Sequence, residues 1–238
     1  MIKKKLKLDF YTAHQTLAEL QPIHLRSKPP SWWRTLKNSY DAYKSRVGVS
    51  LPVPTIKTCP GVSDYMRLPI TLKLWSDGAF KVKPNGDVEV IEPLYESHVL
   101  TGGIHSSNQY GGDLYEGRAV CKLNGPWCVK ASSKAKFMVT ECHYNEDLRK
   151  HGIMVSPGIT NFNDQHTLNV FLVFPIKEKE YVVTLKYGTP LMSIYPMFEQ
   201  PIDIEMHKCT RQEFQDIQNI HPSTFLGRYY AGKHARNK

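Results

Sequence analysis

Four side chains of this sequence come nearest to a metal-binding set: Cys121, Cys128, Cys142 and His143, at spacings of seven, fourteen and one. Zinc sites usually carry a close cysteine pair; none is present, so the set predicts no zinc. The His-x-Asp pattern of non-haem iron sites is missing too, because His143 is followed by Tyr-Asn-Glu and His105 by Ser-Ser-Asn. No metal and no other cofactor is expected. Nucleophilic chemistry fares no better, since the serines of "HSSN" and "ASSK" lack the G-x-S-x-G elbow. Neither a Walker loop nor G-x-G-x-x-G occurs. Glu146 and Asp147 in "HYNED" are neighbours on a turn, where both are expected to face water. Cys59 in "TIKTCPG" has no histidine nearby to activate it and is read as a small buried apolar group. No catalytic residue is therefore assigned.

What remains is a candidate binding region. Leu100 to Gly117 holds five glycines in eighteen residues, and a loop of that length inside a compact domain usually binds something or stays mobile. It carries His105 and Asp113, two candidate ligand contacts.

The charge is concentrated at the ends of the chain. Residues 1–50 hold ten Lys/Arg against three acids and residues 227–238 four against none, while the body between holds 17 against 19. The net +9 thus belongs to two basic extremities, with Lys3, Lys4, Lys5 and Lys7 at one and Arg228, Lys233, Arg236 and Lys238 at the other. Such ends suit an acidic protein surface or nucleic acid. The five cysteines are odd in number and irregular in spacing, which suggests a reducing compartment. No apolar segment follows the charges of "MIKKKLKLDFY" and no run nears the roughly 20 residues of a membrane span. The expected setting is the cytoplasm of a cell or a virion, without a signal peptide and without a membrane partner.

The elements that must position these residues are mostly strands. "MIKKKLKLDFYTAHQTL" reads as a short edge strand or an arm. "SKPPSWWRTLKNSYDAYKSRVG" reads as an amphipathic helix, with Trp33, Leu36, Tyr40, Tyr43 and Val47 on one face, Ser31 as its cap and Gly48 as its end. From Leu51 the pattern turns to β. Pro52, Pro54, Pro60 and Pro69 divide the chain into extended pieces, Gly61 permits a bend, and "ITLKLW" alternates before a turn at Asp77-Gly78. Asn85-Gly86 signals a two-residue hairpin, and "RAVCKL" and "WCVKA" flank a turn at Asn124-Gly125-Pro126 that would face Cys121 to Cys128. Further short strands run to Cys209; Thr210 and Glu213 form a capping box for a helix, and "STFLGRYYAGKHAR" reads as a second, basic one. The prediction is a mainly β protein with an antiparallel sandwich or β-clip-like body over residues 51–209, a basic arm and peripheral amphipathic helix over 1–50, and a helical, basic tail over 210–238.

Two resemblances follow from particular motifs. The stretch "SPGITNFNDQHTLNVFLVFPIKEKEYVVTLKYGTPLMSIYPMF", Ser156 to Phe198, resembles the latter half of the dUTPase and dCTP-deaminase β-clip domain, where a Pro-Gly-Ile turn, two strands and a Lys-x-Gly-x-x-Leu turn lead into a last strand. That family carries an aspartate after the Gly-Ile turn to position water, and three residues on a tyrosine to stack on deoxyribose. Asn161 and Asp164 stand at those positions here. An amide cannot accept a proton from water and an aspartate offers no ring, so the departure argues against that hydrolysis. More broadly, the order of "WW", "TIKTCPG", "LKLWSDG", "PGIT" and "YGTPLMSIYP" over residues 30–200 resembles an uncharacterised family of proteins from contractile-tailed phages of marine bacteria and from some bacterial genomes. It implies a viral setting and a β-rich fold, and no activity.

The expectation is therefore a non-enzymatic structural or interaction protein of an assembly, joined to other subunits through its basic ends and the Gly-rich loop, with a homo-oligomer as one possible form. The alternative, which the β-clip resemblance implies, is a nucleotide-binding or nucleotide-processing protein, enzyme or sensor, with His105, Asp113, Asn161 and Asp164 as candidate ligand residues near a shared pocket; a third reading is nucleic-acid binding through the termini.

Overall fold

The structure is a computed structural model that describes residues 5–14, 17–20, 29–44, 50–67, 69–91, 101–105, 116–142, 146–163 and 166–219. Along the chain come β1 (Leu6–Thr12), α1 (Leu17–Leu20), α2 (Ser31–Thr35), β2 (Ser39–Lys44), β3 (Ser50–Pro54), a 3-10 turn at Ile56–Thr58, α3 (Pro60–Arg67), β4 (Ile70–Lys73), β5 (Gly78–Val82), β6 (Val88–Ile91) and β7 (Thr101–His105). They are followed by β8 (Arg118–Asn124), β9 (Cys128–Ala131), β10 (Phe137–Glu141), α4 (Glu146–Arg149), β11 (Met154–Val155), β12 (Gly158–Thr160), β13 (Val170–Pro175), β14 (Tyr181–Leu185), β15 (Pro190–Pro196), β16 (Ile202–Lys208) and α5 (Arg211–Asn219). The protein is mainly β, as its alternating runs predict, with a sandwich-like body of several sheets.

The sheets run β16-β1-β9, β12-β10-β15-β4, β11-β13-β8-β7 and β14-β5-β6, with a separate β2-β3 pair. Every pairing is antiparallel except β1 with β16, where Leu6 to Thr12 lies parallel to Ile202 to Lys208. The four larger sheets feed one core. Phe80 of β5 meets Phe174 of β13 at 5.4 Å, Phe10 of β1 meets Trp127 at 6.2 Å, and Phe137 of β10 sits 5.0 Å from Phe162. All six rings are fully buried, and each such side chain contributes on the order of 2–3 kcal/mol of apolar transfer.

Leu6–Thr12 of the N-terminal segment is neither an edge strand nor a free arm. Leu6, Leu8, Phe10 and Thr12 are wholly buried, and β1 lies between β16 and β9 at the centre of its sheet. Period-two burial of these four residues is a stronger signal than the lysines interleaved with them.

The amphipathic helix expected from Ser31 to Gly48 is replaced by the short α2 and the strand β2, while Gly48 lies outside the described residues. Pro30, not Ser31, holds the N-cap position, and Trp33 is buried. The carbonyls at and beyond the end of α2 are satisfied elsewhere: Lys57 Nζ donates to Leu36 O at 2.8 Å and Arg34 O at 3.2 Å, and Thr55 Oγ1 to Lys37 O at 2.7 Å. "SYDAYK" favours a strand once a partner is present, and the partner β3 tolerates Pro52 and Pro54 because it is an edge.

Other local differences have equally specific causes. Pro60 and Gly61 open α3 instead of bending an extended segment; a proline at the first helical position loses no hydrogen bond. The Asn85-Gly86 hairpin is present, but Lys83 N donates to Asp87 O, so its loop is Pro84-Asn85-Gly86, with Gly86 at φ +87°. Trp75, which the alternation of "ITLKLW" puts on the face opposite Leu74, is buried beside it because β4 ends at Lys73. β8 and β9 do not form a hairpin: they belong to different sheets, so Cys121 and Cys128 do not pair across one. The switch between sheets occurs at Gly125, where a Cβ would stand 1.8 Å from Leu168 O. The capping box is realised, since Glu213 N donates to Thr210 Oγ1 and Thr210 N to Glu213 Oε2.

Two crossings between sheets are laced together. β4 passes to β5 and β14 to β15, and Leu74 N donates to Thr189 O while Gly188 N donates to Leu74 O, both at 2.8 Å. Asp77 ties the same junction by accepting from Tyr187 N at 2.7 Å and Lys186 Nζ at 3.0 Å. The Tyr187 amide, and after it the Lys186 ammonium, hold the Asp77 carboxyl below its ordinary range. A lowered folded pKa gives stability above the unfolded pKa that is lost as pH falls through the folded one. Asp77→Ala should therefore cost about 1 kcal/mol at neutral pH, the figure for a charged hydrogen bond being discounted for exposure. Denaturant titrations of the two proteins should differ most above about pH 5 and converge as pH falls through the lowered folded-state pKa.

Candidate functional site

A recess among the described residues lies at the Pro-Gly-Ile turn. β11 pairs with β13, and Ser156 N makes one more bond to Phe171 O at 3.0 Å; Pro157, which has no N–H to continue the ladder, then releases the chain to pair as β12 with β10. Where β12 parts from Thr167–Phe171, a cavity of about 240 Å³ opens. Ser156, Thr160, Thr167 and Asn169 supply its polar lining, and Leu168 and Phe171 much of the rest. None of the described lining residues is charged. The recess thus suits a neutral, partly apolar group and offers nothing to compensate a phosphate.

β12 also carries an open apolar strip, and its Ile159 borders the cavity as well. Ile159 is 63% exposed and stands opposite Met138, 40% exposed, which in turn faces Tyr195, whose ring stacks 5.1 Å from Tyr65 of α3. β12 is the outermost strand, and among the described residues no strand pairs with its far side. Lys134 and Lys136 are exposed just before Phe137, which pairs with Thr160, so the strip ends in positive charge.

Of the four candidate ligand residues, only Asn161 has a described side chain. It is half-buried beside the cavity, not in its lining, and its Oδ1 accepts from Asn163 N at 3.0 Å, an Asx turn that shapes the chain after β12. His105 ends β7 opposite Val120, and Asp113 and Asp164 lie outside the described residues. Thr101–His105, expected to open a Gly-rich loop, is a strand paired with β8; residues 106–115 are not described. Of the basic contacts, Lys5 is exposed, whereas Lys7 is engaged within the chain, 2.7 Å from Glu205 and 3.3 Å from Asp9. Lys3, Lys4, Arg228, Lys233, Arg236, Lys238 and the second basic helix lie outside the described residues. Glu146 and Asp147 form α4, and Asp147 pairs with Lys150 at 2.9 Å.

The thiols divide by burial. Burial pushes Cys121 and Cys128 up to about 12 and Cys142 up to about 11, so none of the three is a nucleophile at neutral pH. Cys59 is exposed, contrary to its reading as a buried apolar group, because it precedes α3 on the surface and its carbonyl accepts from Ser63 N. Iodoacetamide at pH 8 should alkylate Cys59 at least tenfold faster than Cys121 or Cys128, with the buried pair reacting only on unfolding, as peptide mass mapping would show.

A scan against family models finds no match for this chain, and a search of curated proteins finds none either. Among the described residues no helix is long and apolar enough to cross a membrane.

The apolar edge at β12 was not legible in the sequence. "GIT" is too short to show alternation, and the exposure of Ile159 depends on Met138, 21 residues away, being its neighbour.

Proposed function

We propose that this protein is a non-enzymatic interaction subunit of a phage-type assembly, which holds another subunit along the β12 edge. The observation that carries the reading is the exposed Ile159–Met138 pair on an outermost strand, a combination that isolated proteins usually avoid and that strand addition exploits. The occupant fitting it is an extended segment with an apolar residue over Ile159 and Met138 and acidic residues toward Lys134 and Lys136. The basic ends of the chain add attraction to the same acidic partner.

Mass spectrometry of purified particles and of the remaining lysate tests it. The protein should be enriched in particles, and Ile159→Lys, which keeps the fold because the side chain is exposed, should lower its incorporation at least tenfold. Wild-type protein confined to the lysate would remove the reading.

A second reading is favoured by the cavity beside the Pro-Gly-Ile turn: a nucleotide-binding β-clip protein that takes a neutral base or sugar there. A ligand selective for the folded state raises the melting temperature. A thermal shift with one nucleotide, lost in Asn169→Ala, would support this second reading over the first.

A further inference from the structure

Another cluster lies on the outer face of the β1–β16 pair, away from β12. We propose that Asp9, Glu205 and His207 bind a divalent transition-metal ion of the zinc class. Asp9 and Glu205 are register partners across the two parallel strands, and His207 stands two residues beyond Glu205, so period-two geometry puts all three on one face. Their donor atoms lie within 4.8 Å of one another: His207 Nε2 is 2.6 Å from Asp9 Oδ1 and 3.8 Å from Glu205 Oε2. Ligand atoms about 2.0–2.2 Å from a tetrahedral ion are separated by about 3.4 Å, which falls between those two values.

The imidazole is held in place for this role. Tyr11, the register partner of His207, stacks on its ring at 4.8 Å and 21°, leaving Nε2 directed at the carboxylates. Three protein donors leave a fourth position open. An imidazole among the donors favours zinc and the other late first-row divalent ions over magnesium and calcium, which prefer an all-oxygen shell.

Lys7 supplies the competing cation. Its ammonium bridges Glu205 at 2.7 Å and Asp9 at 3.3 Å, so the metal-free cluster already has one positive charge against two carboxylates. A divalent ion neutralises both carboxylates and displaces Lys7, whose side chain is 42% exposed and can turn to solvent. The affinity is therefore set by a contest that a single substitution can shift. The bound ion would join residues 198 positions apart and clasp β1 to β16.

The test uses the full chain with Cys59→Ser to remove the exposed thiol, freed of metal with a chelator, and titrated with zinc by calorimetry and with cobalt by absorbance. One equivalent should bind, with no thiolate-to-cobalt charge-transfer band. His207→Ala and Asp9→Asn should abolish binding, and Lys7→Met should tighten it roughly tenfold by removing a nearby like charge. Lys7→Met leaves the donors in place, so it remains informative if His207→Ala fails to fold. Binding unchanged in His207→Ala, or no binding in either the parent or Lys7→Met, would reduce the cluster to a self-satisfied ion-pair network and overturn the proposal.

Discussion

Gly125→Ala is expected to leave the protein unable to close its core. The new methyl would lie 1.8 Å from the Leu168 carbonyl oxygen and 3.0 Å from its carbon, both backbone atoms that cannot rotate aside. Leu168 is itself fixed, because its amide donates to Trp127 O at 3.3 Å and its side chain is buried. Making room therefore means separating the crossover between β8 and β9 from the segment that enters β13. That movement breaks the Leu168–Trp127 bond and loosens Trp127, a fully buried side chain, against Phe10. The loss should exceed about 4 kcal/mol, in the range of the most damaging single substitutions. Urea unfolding followed by tryptophan fluorescence would show it as a shifted midpoint or as no folded baseline; a shift below about 1 kcal/mol would mean the crossover is far more pliable than its packing implies.

Phe174→Ala should cost about 4 kcal/mol. Phe174 is fully buried on β13 and meets Phe80 of β5 at 5.4 Å, so truncation opens a cavity where the β11-β13-β8-β7 sheet packs on the β14-β5-β6 sheet. In a chain of 238 residues that is a fall in melting temperature of roughly 10 °C, measurable by calorimetry. Phe80→Ala should cost a similar amount, and the double variant less than the sum, since both remove one shared contact.

How much of this was legible in the sequence depends on the range of the interactions that decide it. The β-rich body, the hairpin at Asn85-Gly86 and the Thr210-Glu213 capping box rest on residues a few positions apart, and the structure has all three. The helix expected through Tyr40 and Tyr43 is a strand instead, because its partner β3, and beyond it Lys57, which reaches back to the carbonyls of Arg34 and Leu36, come from later in the chain. The central position of β1 was hidden for a similar reason: its partner β16 enters nearly 200 residues later. The candidate sites followed the same rule. Asn161 was visible through the Pro-Gly-Ile motif, yet the cavity beside it is made by Thr167 to Phe171 coming alongside. The Asp9, Glu205 and His207 cluster has no sequence spacing at all; only the parallel register assembles it.

The measurement that bears most directly on the account is site-specific photocrosslinking in cells producing the assembly, with a benzophenone amino acid at position 159 and, as a control, at exposed Lys150 of the α4 turn. The account predicts one discrete adduct from position 159, to another subunit that is also recovered in purified particles, and none from position 150. No adduct from position 159, or the same set of adducts from both positions, would contradict it.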